Sequence, residues 1–494
     1  MNASDKPQWN YVRRWLSRSA PALGTVCLLA LPPAATFCQR APVSPDSPWL
    51  SNRSAISRYT DVVDRHEIEI DRQHVYSLGE LIDIAESNNP TTQSAWNQAK
   101  VNAASVGIAK SELYPTVVAT VTGKTFLNPP LLFQSFAVQD IGYYEAAVHL
   151  DYTLIDFGAR RSEVTAAQAR LVAANLNFNN EHLLLIRQVS EAYYGLLNAI
   201  GLRKAAEISL SDARALEAAA QDRRDNGLAT VPEVLEARAA SAKANYDLKS
   251  ALGAEHVEFG HLARAVTASP VKQFQVTSLE ELRIPDHLDQ SVEDAIALAF
   301  RERPDLIADE AKVRVSEAEL KRARTAYYPT LTFSGSRGWL RAWGQQESFD
   351  GTYAQTKTYD ATLGLHWTVF DGFLRESRVA EAKAGEAVAK DNVRDRMDQI
   401  ADEVWGDYAD AETALEQHQA AVALLAASEE SYSAALESYK DGVRNFLDVL
   451  AAENELARAR AINVTASTQV LQTFTDLAFR TGDLLANHPK GNHP

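Results

Sequence analysis

The 494-residue sequence predicts a mainly α-helical protein with a small β part, made of two similar halves. Three observations carry that fold class. Two fifteen-residue stretches, Tyr144 to Gly158 (YEAAVHLDYTLIDFG) and Tyr359 to Phe373 (YDATLGLHWTVFDGF), alternate apolar and polar residues as half-wet strands do. Each runs directly into a very long helical pattern. Landmarks also recur at a fixed distance. Pro90 and Pro304, like Pro115 and Pro329, stand 214 residues apart, while Asp156 and Asp371, Tyr193 and Tyr408, Gly227 and Gly442, and Val234-Leu235 and Val449-Leu450 stand 215 apart. One residue inserted between the proline and the second strand accounts for the difference, so the chain is a tandem duplication with a long period and not a short-repeat solenoid.

Composition narrows the class. With 46% apolar residues the chain can build several ordinary domains, and a formal charge of −16 argues against nucleic acid, whose phosphates need a basic surface. No apolar run reaches the ~18 residues of a transmembrane helix. The N-terminus reads as an export signal: Arg13, Arg14 and Arg18 precede the apolar run Ala20 to Leu31, and small residues follow at Ala34 and Ala35. Residues 1–37 are therefore set apart from the fold as a signal peptide, with 38–75 as an N-terminal tether. Cys27 and Cys38 are the two cysteines, so the mature chain has no disulfide. Cys38 is a candidate lipidation residue ahead of the Pro-rich QRAPVSPDSPW, although bulky Phe37 stands where lipoprotein signals carry a small residue. Arg13-Arg14 also suggests a twin-arginine signal, which the flanking residues fit poorly.

Taken in order, each half reads helix, Pro, strand, loop, strand, long helix, Gly turn, helix. Residues 77–112 are helical with a break at Asn89-Pro90 and an end at Tyr114-Pro115; residues 291–326 repeat this with a break at Arg303-Pro304 and an end at Tyr328-Pro329. The first strand of each pair is shorter and alternates less cleanly, Val117, Ala119 and Val121 in one half and Leu331 and Phe333 in the other. In the second strands Tyr144, Ala146, Val148, Leu150, Tyr152 and Leu154, and then Tyr359, Ala361, Leu363, Leu365, Trp367 and Val369, form the apolar sides. The connecting loops hold Asn128-Pro129-Pro130 and an aromatic stretch around Trp339, Trp343 and Gly344, which fits a membrane-interface girdle or plain packing.

From Val164 to Ala220 an apolar stripe recurs at a mean of 3.5 residues, the coiled-coil period, interrupted by His182, Arg203 and Glu217. A second stripe through Leu176, Leu183, Tyr193, Leu197, Ile200 and Ile208 gives the helix neighbours on two sides, as in a wall of helices. Between Gly158 and Gly227 it spans roughly 100 Å at ~1.5 Å per residue. The shorter helices, 77–112 and about 231–266, together match that length, which places the irregular segment 267–290, with Pro270 and Pro285, as a belt around the waist. Four strands cannot close a barrel, and an open amphipathic sheet cannot stand in lipid with bare edges, so self-association follows if the apolar face meets lipid. Two, three or four chains would each supply enough strands.

The duplicated order, the Tyr-Pro before each first strand, the Leu-Ile-Asp-Phe-Gly and Val-Phe-Asp-Gly exits, and the turns Asn226-Gly227-Leu228 and Asp441-Gly442-Val443 followed by Glu233-Val234-Leu235 and Asp448-Val449-Leu450 resemble the TolC family of outer-membrane efflux channels. The likeness covers about residues 76–485. It implies duplicated long-helix hairpins forming a helical barrel, and a homotrimer whose four strands per chain complete a transmembrane β-barrel in outer-membrane lipid. It also implies a periplasmic adaptor (membrane fusion) protein and an inner-membrane pump as partners. The domains are then a first efflux repeat, 76–266, an equatorial linker, 267–290, a second efflux repeat, 291–485, and a tail, 486–494. By the same resemblance Gly227, Leu228, Gly442 and Val443 are adaptor-contacting tips, and Asp448, Tyr439, Arg444 and Glu233 hold the periplasmic gate. The family's second acid one turn after Asp448 is Ala451 here, and Pro232 replaces a hydrogen-bonding residue, which suggests a weaker constriction.

No catalytic constellation, cofactor motif, metal-ligand spacing or phosphate-binding GxxxxGK loop is found in the sequence. His149 and His366 lie on wet strand faces at non-equivalent positions. The expected function is a passive exit duct of a tripartite efflux system, with a type I protein-secretion duct or a non-pore coiled-coil scaffold as the alternatives.

Overall fold

A computed structural model describes residues 70–128, 131–132, 135–136, 139–346 and 349–485. The signal segment, Cys38, most of the tether, the C-terminal tail and Pro129-Pro130 lie outside the described residues. Each half starts with a proline-broken helix: α1 (Leu78–Asn88) and α2 (Pro90–Ser111), then α5 (Val292–Glu302) and α6 (Pro304–Thr325). Proline opens the second helix of each pair because its missing N–H and fixed φ suit a first helical position. The long helices α3 (Ala159–Asp225) and α7 (Leu374–Lys440) have 67 residues each, ~100 Å. They return through α4 (Val231–Ala265) and α8 (Phe446–Thr481).

These elements form three tiers. The strands β2 (Thr116–Asn128), β5 (Gln139–Ile155), β7 (Thr330–Gln346) and β8 (Phe349–His366) make one antiparallel sheet in the order β2-β5-β7-β8. Below it α2, α3, α6 and α7 pack side by side in that order, and below them α4, α3, α8 and α7. Each of the two long helices thus runs through both helical tiers. Where the short helices meet, β1 (Val75–Tyr76) pairs in parallel with β6 (Gln275–Val276), and Phe274, Tyr76, Val189, Tyr193 and Leu262 share one apolar cluster. A two-residue hairpin, β3 (Leu131–Leu132) with β4 (Ser135–Phe136), interrupts the first strand connection.

The coiled-coil stripe holds along α3, where none of its positions is exposed. Its three intruders each find a polar partner: His182 hydrogen-bonds Glu86 at 3.1 Å, Arg203 pairs with Glu207 at 2.7 Å and Glu255 at 2.5 Å, and Glu217 pairs with Arg238 at 3.7 Å. Four details differ from the sequence expectation. Ile208, assigned to the second stripe, is 48% exposed. Trp339, Trp343 and Gly344 stand in β7 and not in a loop, because the strand pairs with β5 as far as Gln139 and Gln346, and Trp343 lies over Gly142, where a Cβ would clash with its ring. This makes β7 and β8 nearly equal, 17 and 18 residues. The alternation expected to continue through Trp367 and Val369 stops at His366, since Arg375 takes the carbonyls of Thr368 and Val369. In the first copy a β-bulge between Thr153 and Ile155 sets Ile155, and not Leu154, opposite Leu331.

Candidate functional site

Two places in the chain turn sharply under duplicated chemistry: the elbow from strand into long helix and the tip where each long helix turns back. At the first elbow the Asp156 carboxylate accepts from the amides of Gly158 (3.1 Å) and Arg160 (2.9 Å) and from Arg160 Nε (2.7 Å). Arg160 also donates to the carbonyls of Glu112 (3.0 Å) and Thr153 (2.6 Å), so one side chain ties the broken helix, the strand and the long helix together. Burial would raise the Asp156 carboxyl, but the Arg160 guanidinium and the two amides outweigh it and hold it below the usual carboxylate range. The second elbow repeats the brace with Asp371 and Arg375 Nε at 2.8 Å.

Asp-Phe-Gly in one copy and Asp-Gly-Phe in the other are the same backbone. Both use two successive left-handed residues, Phe157 (φ 52°) and Gly158 (φ 95°) or Gly372 (φ 68°) and Phe373 (φ 66°). Each copy therefore relieves one of the two strained positions with glycine and leaves a phenylalanine in the other.

At the tips, Gly227 (φ 75°) and Gly442 (φ 77°) end α3 and α7 in matching caps. The amide of Leu228 donates to Arg223 O at 2.7 Å, and that of Val443 to Ser438 O at 2.8 Å. Leu228 is 67% and Val443 81% exposed, so the apolar residue that normally folds back onto such a cap points away from it. Behind the tips lies a shared core of Leu216, Val234, Tyr439, Phe446 and Val449. Tyr439 is buried edge-on against Phe446, with 5.9 Å between ring centroids, and its hydroxyl has no hydrogen-bond partner among the described residues. Glu233 closes the capping box of α4, accepting from the Thr230 amide at 3.3 Å and hydroxyl at 3.0 Å. Burial, with the Glu233 charge added, pushes the Tyr439 hydroxyl up. Arg444 and Asp448 are exposed, and the Asp448 amide is capped by Asn445 at 2.9 Å. Among the described residues no hydrogen bond or ion pair joins the four residues expected at the gate, although the Glu233 charge reaches the Tyr439 hydroxyl.

A residue that sequence reading passed over joins the two hairpins. Arg223, in the last turn of α3, donates to the carbonyls of Tyr439 (2.5 Å) and Lys440 (3.2 Å) at the end of α7 and lays its guanidinium 4.6 Å over the Tyr439 ring. A basic residue at a helix end was visible in the sequence; the partner helix 216 residues away was not. Among the described residues no helix is long and apolar enough to cross a membrane, and no cluster of three His, Cys, Asp or Glu side chains could hold a metal.

This duplicated geometry agrees with the chain's relatives. The profile of the family described as outer membrane efflux protein matches residues 81–266 and 295–483, one segment per repeat. The chain belongs to that family. As an outer membrane efflux protein it is a channel of the outer membrane whose helices extend into the periplasm. Protein CyaE of Bordetella pertussis is 27% identical over 432 residues, 86% of this chain and 88% of that protein. Outer membrane protein OprJ of Pseudomonas aeruginosa is 25% identical over 408 residues, 81% and 82% of the two chains. Among solved structures the outer-membrane channel OprN superposes with a TM-score of 0.72 at 19% identity, covering 83% of this chain and 93% of that one. The efflux-family fold therefore extends over both hairpins and the sheet.

Proposed function

We propose that three copies close a twelve-stranded barrel in the outer membrane over a helical tunnel, as the passive exit duct of a tripartite small-molecule efflux system. The observation that carries this reading is that all three tiers end on the same halves of the chain. The sheet begins at β2 and ends at β8, the upper helices run from α2 to α7 and the lower from α4 to α7. Both sheet edges carry unpaired backbone groups, which lipid does not tolerate. Apolar side chains stand exposed along both margins: Val121 and Tyr246 on the first-half side, Val388, Trp405 and Leu365 on the second. A contact from the second-half edge of one copy to the first-half edge of the next is head-to-tail and closes as a ring. The family resemblance supplies the number three.

The partners are a periplasmic adaptor and an inner-membrane pump. Exposed Leu228 and Val443, beside Gly227 and Gly442, suit docking of an apolar adaptor tip. Three copies of Asp448 would narrow the tunnel end and favour cations, with Arg444, Tyr439 and Glu233 bracing it and Ala451 leaving it without a second acidic ring. The pump supplies the energy and selects the cargo.

The molar mass of protein extracted from outer membranes in mild detergent tests the assembly. A detergent-bound trimer is expected; a soluble monomer without bound detergent overturns the reading. In planar bilayers, conductance and cation preference unchanged by Asp448→Asn would remove the gate from it.

A further inference from the structure

The two faces of the sheet differ in charge as well as in polarity. The wet face carries Glu145, Asp151 and Asp360, with Lys124 its single Lys or Arg among the described residues. On the apolar face β7 and β8 place Arg337 opposite Tyr359, Trp339 opposite Lys357 and Arg341 opposite Gln355, alternating in step with Leu331, Phe333, Leu363 and Leu365. Arg337, Arg341 and Lys357 are exposed, and none has an ion-pair partner among the described residues. The one acid among the described residues of this face is Asp140, a row beyond Trp343, and it accepts from Thr125 at 3.3 Å.

Their height gives the cations a meaning. Phe157 stacks on Tyr328 and Trp367 donates to Tyr327 O, making an exposed aromatic belt at the helical end of the sheet. Strands in such barrels tilt by about 40°, so each residue climbs ~2.5 Å along the barrel axis. From the level of Trp367, the rows of Arg337, Lys357 and Arg341 then stand roughly 20, 25 and 30 Å higher, at the far margin of an apolar band ~25 Å tall. A cation in mid-band would be strongly unfavourable, whereas at that margin it meets lipid headgroups.

We propose that this patch binds a phosphorylated glycolipid headgroup of the outer leaflet, an inference that rests on the membrane-spanning reading. Lys357 lies diagonal to both arginines, with Cβ separations of ~7 Å, and the arginines, four residues apart on β7, are ~13 Å from each other. That spread suits a headgroup with more than one phosphate, and guanidinium groups bind phosphate oxygens in pairs. Arg341 stands 5.9 Å from the Tyr353 ring, and exposed Trp339, Tyr353 and Tyr359 offer flat faces for sugar rings between the charges. Three copies in a ring would present three such patches outward, facing lipid and not the cargo.

The test uses the detergent-solubilised assembly of the full chain and diphosphorylated lipid A as probe, with its dephosphorylated form and phosphatidylglycerol beside it, read by native mass spectrometry. The wild type is expected to retain the diphosphorylated probe at least tenfold better than the triple variant Arg337→Gln, Arg341→Gln, Lys357→Gln, and to gain nothing from the dephosphorylated one. Equal retention by variant and wild type overturns the proposal, as does equal retention of phosphatidylglycerol, which would make the patch a general anionic-lipid surface. Should the triple variant not assemble, the pair of probes on the wild type decides: loss of the phosphates must lose the binding. A detergent-bound assembly indifferent to phosphate sinks this inference alone, while a chain that takes up no detergent sinks the membrane-spanning reading.

Discussion

The helices α3 and α7 occupy equivalent places in two copies of one pattern and have the same 67 residues of length, yet α3 buries 21 of them and α7 ten. On α7 nothing before Ile400 is buried. The difference lies in position and not in helical pattern: α3 has a helix on each side in both tiers, whereas α7 ends the row in both. A repeat inherits its periodicity, but its neighbours come from the fold. The bare side of α7 is where the proposed assembly places the next copy.

The proline breaks diverge in the same way. Asn89 caps α2 with its own side chain, accepting from the Thr91 amide at 2.7 Å, and sits beside the large apolar cluster. Arg303, its counterpart, is 7% exposed and makes no cap. It pairs with Asp305 at 2.7 Å and Glu403 at 2.8 Å, and Glu403 is shared with Arg480, which also holds Asp407. Desolvation would lower the Arg303 pKa, but its two carboxylates raise it instead. One backbone kink is secured by a cap and oil in the first half and by a charge lattice in the second.

The sharpest way to break the first comparison is to charge the bare side of α7. Val388→Asp with Trp405→Asp should abolish assembly, seen as a single-chain mass in detergent, while far-ultraviolet circular dichroism keeps its helix content. At the kink, Arg303→Ala strips half-buried Asp305 of its guanidinium and leaves Glu403 to Arg480 alone, and should cost about 3 kcal/mol. The equivalent Asn89→Ala should cost only about 1 kcal/mol, both read as shifts in thermal midpoint.

A third outcome concerns the seam between the hairpins. Glu453 on α8 is 6% exposed and faces Asp212 of α3, Lys243 of α4, Tyr432 of α7 and Arg460 of its own helix. Burial and then Asp212 push its carboxyl up, while Tyr432 beside it is pushed up to about 12. A raised carboxyl favours the neutral form in the fold. Its contribution to stability is complete below the unfolded value near ~4.3 and is lost as pH rises through the higher folded value. Glu453→Gln should therefore raise the thermal midpoint at neutral pH and flatten its fall as pH rises above the unfolded carboxylate value near ~4.3; a wild-type slope retained in the variant would remove Glu453 from that role. The smallest effect is expected at the elbows. Phe157→Gly, like Phe373→Gly, exchanges left-handed strain for chain entropy and should alter stability by less than about 1 kcal/mol, whereas Arg160→Ala, which removes the brace itself, should lower it by more.

The sequence by itself determined the duplication, the element order, the coiled-coil period of the long helix and the glycines of both tips. Each of these is local, a matter of 3.5-residue or two-residue periodicity or of a backbone angle that only certain residues accept without strain. The tertiary structure decided the rest. Trp339 and Trp343 read as loop because their own alternation is weak, yet pairing with β5 carries the strand through them. Arg223 was one more basic side chain at a helix end until packing brought the carbonyls of Tyr439 and Lys440 to it. Which of two equivalent long helices lies inside the wall and which lies at its edge depends on contacts between segments up to hundreds of residues apart, and no local pattern encodes them.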